Sequence, residues 1–298
     1  MNKTKVSHLY AMLVMIIWGM SYLSIKIVVA EINPILSAFY RFLIAGVILI
    51  IIKKMQHSNE KVLKEDRLKM ALGGLFGVGL YFFFENYSIA FTTASNVAIL
   101  IASIPIFTLI AQKIIFNEEI TKTKLIGTIF SVVGIIIIVA SKDKISLFST
   151  GTIGDLMALA CALCWVIYNI INSSFKGNYS SITITTYQSI WGCIFLSPSL
   201  VFVSNSIPSA KVILNILFLS VFCSCVGYVL YNYALNYLGA TVLTTYINLQ
   251  PIITLIAAVI ILRERITISQ LIGCFTIILG VSMVSTQKKG KAEVIENI

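Results

Sequence analysis

Long apolar runs alternate with short polar segments along the whole chain. Each run holds about 20 mostly apolar residues, the length that an α-helix needs to cross the hydrocarbon core of a bilayer. The pattern therefore predicts an all-α integral membrane protein with ten transmembrane helices. The predicted spans cover residues 9–29, 34–52, 70–91, 94–116, 124–140, 154–175, 183–204, 212–237, 240–262 and 269–285.

The basic residues between the spans predict how the helices are oriented. Placing the N-terminus in the cytoplasm puts 15 Lys and Arg residues on the cytoplasmic side and 5 on the outer side. Loops on the cytoplasmic side of a membrane carry an excess of Lys and Arg. We therefore expect a multi-pass protein of the cell (plasma) membrane with both termini in the cytoplasm.

The second half of the chain repeats the first at a spacing of about 146 residues. Pro105 corresponds to Pro251 within a similar apolar stretch, and Trp18 corresponds to Trp165. Five spans per repeat is an odd number, so the two halves enter the membrane in opposite senses and form an inverted repeat. The predicted domains are a first five-helix repeat at residues 1–141, a linker at 142–152, and a second repeat with a short cytoplasmic tail at 153–298.

Composition agrees with a membrane protein. Hydrophobic residues make up 58% of the chain and charged residues only 11%, against roughly 25% charged residues in soluble domains. The formal net charge is +10, but the basic residues lie mainly between the spans rather than on one face. We therefore expect membrane lipid, and not nucleic acid, to surround this chain.

Cys161 and Cys164 form a Cys-x-x-Cys pair, which invites a redox or metal-binding interpretation. No second pair and no histidine lies nearby, and both cysteines fall inside an apolar span. This arrangement is more typical of small, polarizable residues in a packed helix. We expect neither a metal nor a cofactor.

Lys26, Arg41 and Glu85 are charged residues inside the first three predicted spans. A charge at such a position is costly and indicates a functional site. All three fall at similar depth in the outer part of the membrane. They form either an outer gate or ligand site, or a buried ion network that fixes helix packing while Lys26 extends to the interface. Glu85 could pair with Arg41 or carry a proton, and the sequence leaves both open.

Aromatic and polar residues recur on the faces of the same predicted helices. Trp18, Tyr22 and Lys26 are spaced four residues apart, so they share one face of the first helix. The repeat maps Trp18 and Tyr22 onto Trp165 and Asn169. We predict a solute path between the halves, although amides and phenols also join helices to each other inside membranes. The candidate residues of the path or its gate are Trp18, Tyr22, Lys26, Arg41, Tyr81, Glu85, Trp165, Asn169, Tyr228 and Asn232.

Proline and glycine mark two further features of the spans. Pro105 and Pro251 each lie about eleven residues into a span, where a proline removes a helical hydrogen bond and kinks the helix. Such a kink is either a gating joint or part of a curved, packed helix. Gly73 and Gly77 belong to a small-residue face on the third span. This face packs either against a helix of the same chain or against a second copy of the chain in a homodimer.

Motifs spread over both halves carry a family resemblance. They are Trp18-Gly19 with Lys26, Arg41-Phe42, the Pro105 span ending at Glu118-x-Ile120-Thr121, Gly127 with Gly134, and in the second half Pro251, Glu264-x-Ile266-Thr267, Gly273 and Gly280. With these motifs, nearly the whole chain resembles the EamA-type family of the drug/metabolite transporter superfamily. The resemblance implies a small-metabolite permease, and many members export amino acids or related compounds. Lys26 and Arg41 have no charged counterpart in the second half, so no symmetric charged site is implied.

These observations favour a secondary transporter that carries small solutes by alternating access between the two inverted repeats. Proton coupling rests on Glu85, the one carboxylate well inside a span. A lipid flippase or a non-transporting membrane scaffold is the alternative. A membrane enzyme is disfavoured, because His8 and His57 are the two histidines, both lie outside the spans, and no catalytic cluster accompanies them.

Overall fold

Helices make up the regular secondary structure of the part of the chain that the computed structural model describes. The described residues are 3–57, 59–91, 97, 100–101, 103–117, 119–140, 152–202, 208–250, 252–253 and 268–285. Five of the described helices are long and apolar enough to cross a membrane, and two shorter apolar helices accompany them. The structure in this part of the chain is thus that of an all-helical protein with apolar helices of membrane-spanning length.

Each predicted span overlaps a helix of the structure. The helices are α1 (Lys3–Val29), α2 (Pro34–Gln56), α3 (Lys64–Phe91), α4 (Ile104–Phe116), α5 (Lys122–Ala140), α6 (Thr152–Ser173), α7 (Ser181–Leu196), α8 (Ala210–Leu238), α9 (Ala240–Tyr246) and α10 (Ile268–Ser285). A helical turn (Ser199–Phe202) follows α7, and a 3₁₀ turn (Ile247–Leu249) continues α9. Most of the predicted linker and Pro251 lie outside the described residues.

Side-chain caps explain where several helices begin. Asn33 accepts a hydrogen bond from the backbone N–H of Ile35 at 3.1 Å, directly before Pro34 in the first turn of α2. Thr121 accepts the N–H of Lys124 at 3.2 Å at the start of α5. Such caps satisfy backbone donors that have no partner within the helix. The helix starts are therefore encoded locally in the sequence.

Two carboxylates cap helices of the opposite half of the chain. Glu60 accepts hydrogen bonds from the backbone N–H and hydroxyl of Ser180 and from the hydroxyl of Thr183, at the start of α7. Glu31 accepts the N–H and hydroxyl of Ser209, before α8. Burial of Glu60 opposes its ionisation, but the bonds from Ser180 and Thr183 outweigh burial and hold the pKa of this carboxyl below its usual value. The loops around α2 thus tie the first half to the second.

Repeat-related helices pack against each other in antiparallel pairs. A Cβ atom on Gly127 would lie 2.8 Å from the carbonyl oxygen of Gly280, and one on Gly134 would lie 2.6 Å from that of Gly273. As the residue number rises along α5 it falls along the facing part of α10, so the two helices run in opposite directions. Glycine permits this approach because it has no side chain.

Helices α5 and α10 expose large apolar side chains on their other faces. Leu125, Ile129 and Phe130 of α5 are each more than 40% exposed, as are Leu271 and Phe275 of α10. An apolar surface of this kind is rare on a soluble protein and is suited to the hydrocarbon of a bilayer. The glycine faces are buried against each other, and the apolar faces are left for lipid.

Long helices α3 and α8 each contain a π-helical segment at matching positions of the repeat. These segments are Leu75–Leu80 in α3 and Leu219–Val226 in α8. π-Helical turns are rare and often lie at functional sites, because the widened turn leaves backbone carbonyls available for other partners. Their presence in both halves indicates that a functional site lies where α3 and α8 meet.

The expected kink at Pro105 is instead the start of a helix. Pro105 lies in the first turn of α4, and the N–H of Ser103 bonds to the carbonyl of Leu100 in the turn before it. A proline in a first turn costs no helical hydrogen bond, because that N–H would have no partner within the helix. Pro105 therefore stands in the first turn of α4 rather than in the middle of a helix.

The glycine face of α3 is used within the chain. A Cβ atom on Gly73 would overlap the side chain of Gln188, and one on Gly77 would overlap the ring of Tyr168. Both partners belong to the second half, on α7 and α6. Gly73 and Gly77 therefore pack against helices of the same chain, and not against a second copy.

Candidate functional site

An aromatic cluster occupies the place where α1, α3, α6 and α8 meet. Trp18 and Trp165, which correspond in the repeat, lie 5.4 Å apart between ring centroids at an interplanar angle of 83°. Tyr81 lies 4.8 Å from Trp165, and Tyr228 lies between 5.6 and 5.7 Å from both tryptophans. Tilted and edge-to-face rings of this kind attract each other. The cluster joins the two halves, and its two tryptophans occupy corresponding positions of the repeat.

Each π segment accepts a hydrogen bond from a side chain of the other half. Trp18 on α1 donates its indole N–H to the carbonyl of Cys223 at 3.0 Å. Tyr228 on α8 donates its hydroxyl to the carbonyl of Gly77 at 2.7 Å. Gly77 and Cys223 occupy corresponding positions of the repeat. The cluster is thus fixed at both π segments by reciprocal bonds between the halves.

A small cavity adjoins the aromatic cluster. Both halves contribute to its wall, which combines aromatic rings with one basic and one acidic side chain. The lining residues are Trp18, Ser21, Tyr22, Arg41, Tyr81, Phe82, Glu85, Trp165, Tyr228 and Gln250.

Arg41 brings a buried positive charge to this cavity. Its side chain is 3% exposed, and its Nε donates a hydrogen bond to the hydroxyl of Ser224 at 2.5 Å. The guanidinium carbon lies 4.3 Å from the ring centroid of Phe82, within cation–π distance. Within the described ranges no carboxylate forms an ion pair with Arg41. Its remaining N–H groups are therefore suited to bind an anionic group in the cavity.

Glu85 brings a buried carboxyl group to the same cavity. It is 5% exposed, and its Oε1 accepts a hydrogen bond from the hydroxyl of Tyr81 at 3.1 Å. Its Oε2 has no hydrogen-bond partner among the residues that the structure describes. A buried polar atom without a partner is expensive. Of the two roles that the sequence left open for Glu85, an ion pair with Arg41 is not formed among the described residues, and both groups keep bonding capacity.

The other residues predicted for the path occupy three kinds of position. Tyr22 lines the cavity, and its hydroxyl lies 3.4 Å from Oε1 of Gln250, near the limit for a hydrogen bond. Lys26 is exposed and does not line the cavity. Asn169 and Asn232 are buried but lie outside the cavity wall. Asn169 accepts the hydroxyl of Tyr231 at 2.9 Å.

Ser21, Phe82 and Gln250 line the cavity although the sequence did not single them out. Gln250 had a detectable signal, because it is an amide inside an apolar span and directly precedes Pro251. Ser21 precedes Tyr22, and Phe82 follows Tyr81, so neither shares the helical face of its predicted neighbour. Serine and phenylalanine are also ordinary in membrane helices, and neither carried a signal of its own.

Metal ligands do not gather in the part of the chain that the structure describes. No group of three or more His, Cys, Asp or Glu side chains there could hold a metal ion. Cys161 and Cys164 are buried free thiols on α6. The chemistry that this site offers is binding, through one cation, one carboxyl group and several aromatic faces.

Comparison with known proteins adds a family to this geometry. A sequence model described as the EamA-like transporter family matches residues 5–140 and again residues 152–286. A protein of Archaeoglobus fulgidus described as an uncharacterized transporter is 31% identical over 286 residues, which is 95% of this chain and 98% of its own. The Bacillus subtilis protein YyaM, described in the same words, is 27% identical over 88% of each chain.

A solved crystal structure has the same fold. It superposes with a TM-score of 0.77 over 96% of this chain and 98% of its own, at 16% sequence identity. Identity at this level shows the fold alone. The chain and its relatives match over almost their whole lengths.

Proposed function

Because the chain belongs to the EamA-like transporter family and is a membrane transporter, we propose that it carries small polar metabolites, most of all amino acids or related compounds, out of the cell. The carrier alternates between two states in which the cavity opens to opposite sides. This makes it a secondary transporter, driven by gradients of ions or solutes.

The cavity between the two halves is the observation that supports this proposal. Arg41 offers N–H groups to a carboxylate, while Oε2 of Glu85 and the ring faces of Trp18 and Trp165 suit an ammonium group. A zwitterionic solute presents both groups a short distance apart. In a site of low dielectric, each of these contacts is stronger than the same contact in water.

The helix pairs support the inverted repeat that alternating access requires. Repeat-related α5 and α10 pack antiparallel through glycines. The repeat-related helices α2 and α7 are also antiparallel, because Leu49 contacts Thr186 while Gly46, earlier in α2, faces Ser189, later in α7. We propose ten membrane helices in two inverted repeats of five, in the plasma membrane with both termini in the cytoplasm. Exchange of roles between the halves would then open the cavity to either side.

Transport by purified protein in proteoliposomes tests the proposal. Vesicles that contain the protein should take up labelled zwitterionic amino acids faster than protein-free vesicles. Arg41→Gln should reduce this uptake by about tenfold or more, because a charged hydrogen bond to the solute is lost. Arg67→Gln is the matched control, since Arg67 is exposed at the start of α3, and it should transport like the parent protein.

Three results would contradict the proposal. A folded Arg41→Gln protein with unchanged uptake would remove Arg41 from the site. Scrambling of a labelled phospholipid without solute uptake would indicate a flippase instead. Movement of neither solute nor lipid by a monodisperse protein would indicate a scaffold.

A further inference from the structure

A cluster of amide side chains lies on the other side of the aromatic cluster from the cavity. It is built by α6, α7 and α8 of the second half, near the end of α6, which lies beside the start of α3 where Lys176 pairs with Glu65. Gln188 donates to Oδ1 of Asn172 at 2.6 Å, and Asn172 donates to Oδ1 of Asn232 at 2.9 Å. Asn232 in turn donates to the hydroxyl of Thr185 at 3.1 Å. All four side chains are buried.

This amide cluster corresponds to the cavity in the internal repeat. Gln188 occupies the position that Arg41 has in the first half, and Tyr168 occupies the position of Ser21. Arg41 and Ser21 both line the cavity. An inverted repeat forms its two pathways, one to each side, from corresponding residues. Through Gln188 and the adjoining Tyr168, the amide cluster is thus related by the repeat to the wall of the cavity.

One acceptor of the amide cluster has no protein partner. Oε1 of Gln188 makes no hydrogen bond within the described part of the chain, although Gln188 is 0% exposed. A cluster that served only to hold helices together would gain by satisfying this atom, because an unpaired buried acceptor costs about 1–3 kcal/mol. Gln188 thus keeps an open acceptor at the position where Arg41 keeps free N–H groups.

Tyr168 fills the space between the amide cluster and α3. Its hydroxyl donates to Oδ1 of Asn232 at 2.9 Å, and its ring packs so closely on Gly77 that a Cβ atom there would overlap it. At the corresponding position of the first half, the much smaller Ser21 borders open space. The difference in side-chain volume between Ser21 and Tyr168 accounts for a cavity on one side and a sealed cluster on the other.

We propose that Asn172, Gln188 and Asn232 form a second solute subsite on the transport path, closed in this structure by the ring of Tyr168. Movement of Tyr168 away from Gly77 opens the subsite to the membrane face that carries Lys64 and Lys176. This inference rests on the proposed transport function for its meaning, but the accessibility that it predicts can be measured without any solute.

The chemistry of the subsite differs from that of the cavity. Asn172, Gln188 and Asn232 offer uncharged donors and acceptors, which suit hydroxyl, amide and other uncharged polar groups of a solute. The positions of Arg41 and Glu85 are occupied in the second half by the uncharged side chains of Gln188 and Tyr231. A zwitterionic solute is consequently bound more weakly at this subsite than beside Arg41 and Glu85, so a solute that enters from the face of Lys64 and Lys176 passes on readily to the cavity.

Cysteine accessibility tests the role of Tyr168. Thr185→Cys places a thiol inside the amide cluster with little change in size. Thr186→Cys is the matched control, because Thr186 is equally buried at the same depth of α7 but faces α2, where it contacts the carbonyl of Leu49. Each is made in the parent protein and in Tyr168→Ser, and a membrane-impermeant thiol reagent is applied to sealed vesicles of either orientation.

Thr185→Cys should be protected in the parent background and labelled several-fold faster with Tyr168→Ser, from the Lys64 face alone. Thr186→Cys should stay protected in both backgrounds. If Tyr168→Ser does not elute as a single species, Tyr168→Leu, which still removes most of the ring, must give the same selective labelling. Labelling of the native cysteines in the parent chain supplies the baseline.

Other outcomes overturn the inference. Protection of Thr185→Cys in a folded Tyr168→Ser protein would show that Tyr168 does not close the cluster. Equal labelling of both reporters would show general loosening of α7 rather than a gate. Rapid labelling of Thr185→Cys in the parent would show that the amide cluster is already accessible with Tyr168 in place. The labelling results do not depend on transport activity. A failure of transport in proteoliposomes would therefore contradict the proposed function without deciding whether Tyr168 closes the amide cluster.

Discussion

Glu85 and Arg41 are buried charged residues that keep unused hydrogen-bonding groups in the cavity. Both are almost fully buried, and each makes only a partial set of bonds: Glu85 with Tyr81, and Arg41 with Ser224 and the ring of Phe82. A buried ion network would join the two to each other. Their separate partners leave one carboxylate oxygen and several N–H groups for a solute or a proton.

Glu85→Gln tests proton coupling at this position. Glutamine keeps the acceptor for Tyr81 and the shape of the side chain, and the absence of an Arg41 ion pair in the described structure means that no partner charge is stranded. The variant should fold and exchange solute across the membrane, but it should lose accumulation driven by a pH gradient. Proteoliposomes with and without an imposed gradient provide the measurement.

Glu65→Gln is the control for this experiment, because Glu65 is exposed and pairs with Lys176 at the membrane face. It should keep both exchange and gradient-driven accumulation. Accumulation that still follows the pH gradient in Glu85→Gln would remove Glu85 from coupling.

Glu60 gives a pH-dependent contribution to stability. Its pKa lies below the usual value in the folded protein, so the stabilisation is fully present above the unfolded value of about 4.3 and is lost as pH falls through the folded pKa. Glu60→Gln should cost about 1–2 kcal/mol near neutral pH, because bonds from Ser180 and Thr183 to a charged acceptor are weakened.

Thermal unfolding in detergent at several pH values measures this effect. The gap in melting temperature between the parent and Glu60→Gln should be widest near pH 7 and should narrow below about pH 4. Glu119→Gln, which alters an exposed side chain, should leave the melting temperature unchanged throughout. A gap that stays constant with pH would contradict the assigned role of the Glu60 charge.

At the scale of helices, the two π segments connect the repeat to the site. Widening of α3 at Leu75–Leu80 and of α8 at Leu219–Val226 leaves the carbonyls of Gly77 and Cys223 as acceptors. Tyr228 and Trp18 donate to these carbonyls across the interface between the halves. An irregular helix turn is tolerated inside a membrane when protein groups satisfy it, and here the partners are members of the aromatic cluster.

Glycines at the crossing of α5 and α10 should be intolerant of a side chain. In Gly134→Ala the new Cβ would lie 2.6 Å from the carbonyl oxygen of Gly273, and overpacking of this kind costs about 1–3 kcal/mol. Gly46→Ala is the matched control, since the nearest atom to its Cβ, on Ser189, is 4.0 Å away. Alanine there should keep or raise the melting temperature, because it favours helix more than glycine does.

Melting curves of the two variants measure the cost of a side chain at each glycine. Gly134→Ala should melt several degrees below the parent protein, and Gly46→Ala should not. Equal shifts for both variants would mean that the close contact between α5 and α10 contributes no specific stability.

At the scale of the whole molecule, the two halves are joined on both sides of the aromatic cluster. Glu60 binds the start of α7 near one set of helix ends, and Glu31 binds Ser209 before α8 near the other. The cavity opens on one side of the cluster, and the amide cluster with Tyr168 fills the other. Halves that are related in this manner can exchange roles, which is the basis of the proposed alternating access.

Orientation in the membrane follows from the distribution of Lys and Arg and can be measured in intact cells. A cysteine at Lys61 should resist an impermeant thiol reagent, since that loop is expected to face the cytoplasm. A cysteine at Asp143 should react, since the segment between the two repeats is expected to face outward. The reverse pattern would overturn the orientation while leaving the fold intact.

The sequence alone determined the helices and the duplication, because both depend on local or periodic information. Runs of about 20 apolar residues set the helix positions, and the match of the stretches around Pro105 and Pro251 revealed the repeat. The cost of a charge in a span identified Arg41 and Glu85. The family resemblance drawn from the same motifs is confirmed by the match of both halves to the EamA-like transporter family.

Only the tertiary structure decided which polar residues share a cavity. Helical periodicity places residues on a face, but the rotation of each helix against distant neighbours determines what that face meets. Asn169 and Asn232 therefore bond within the protein, while Ser21 and Gln250 line the cavity. Whether Arg41 would pair with Glu85 or bind elsewhere was likewise settled by packing between helices far apart in the chain, because Ser224 and Phe82 lie where the sequence gives no local signal.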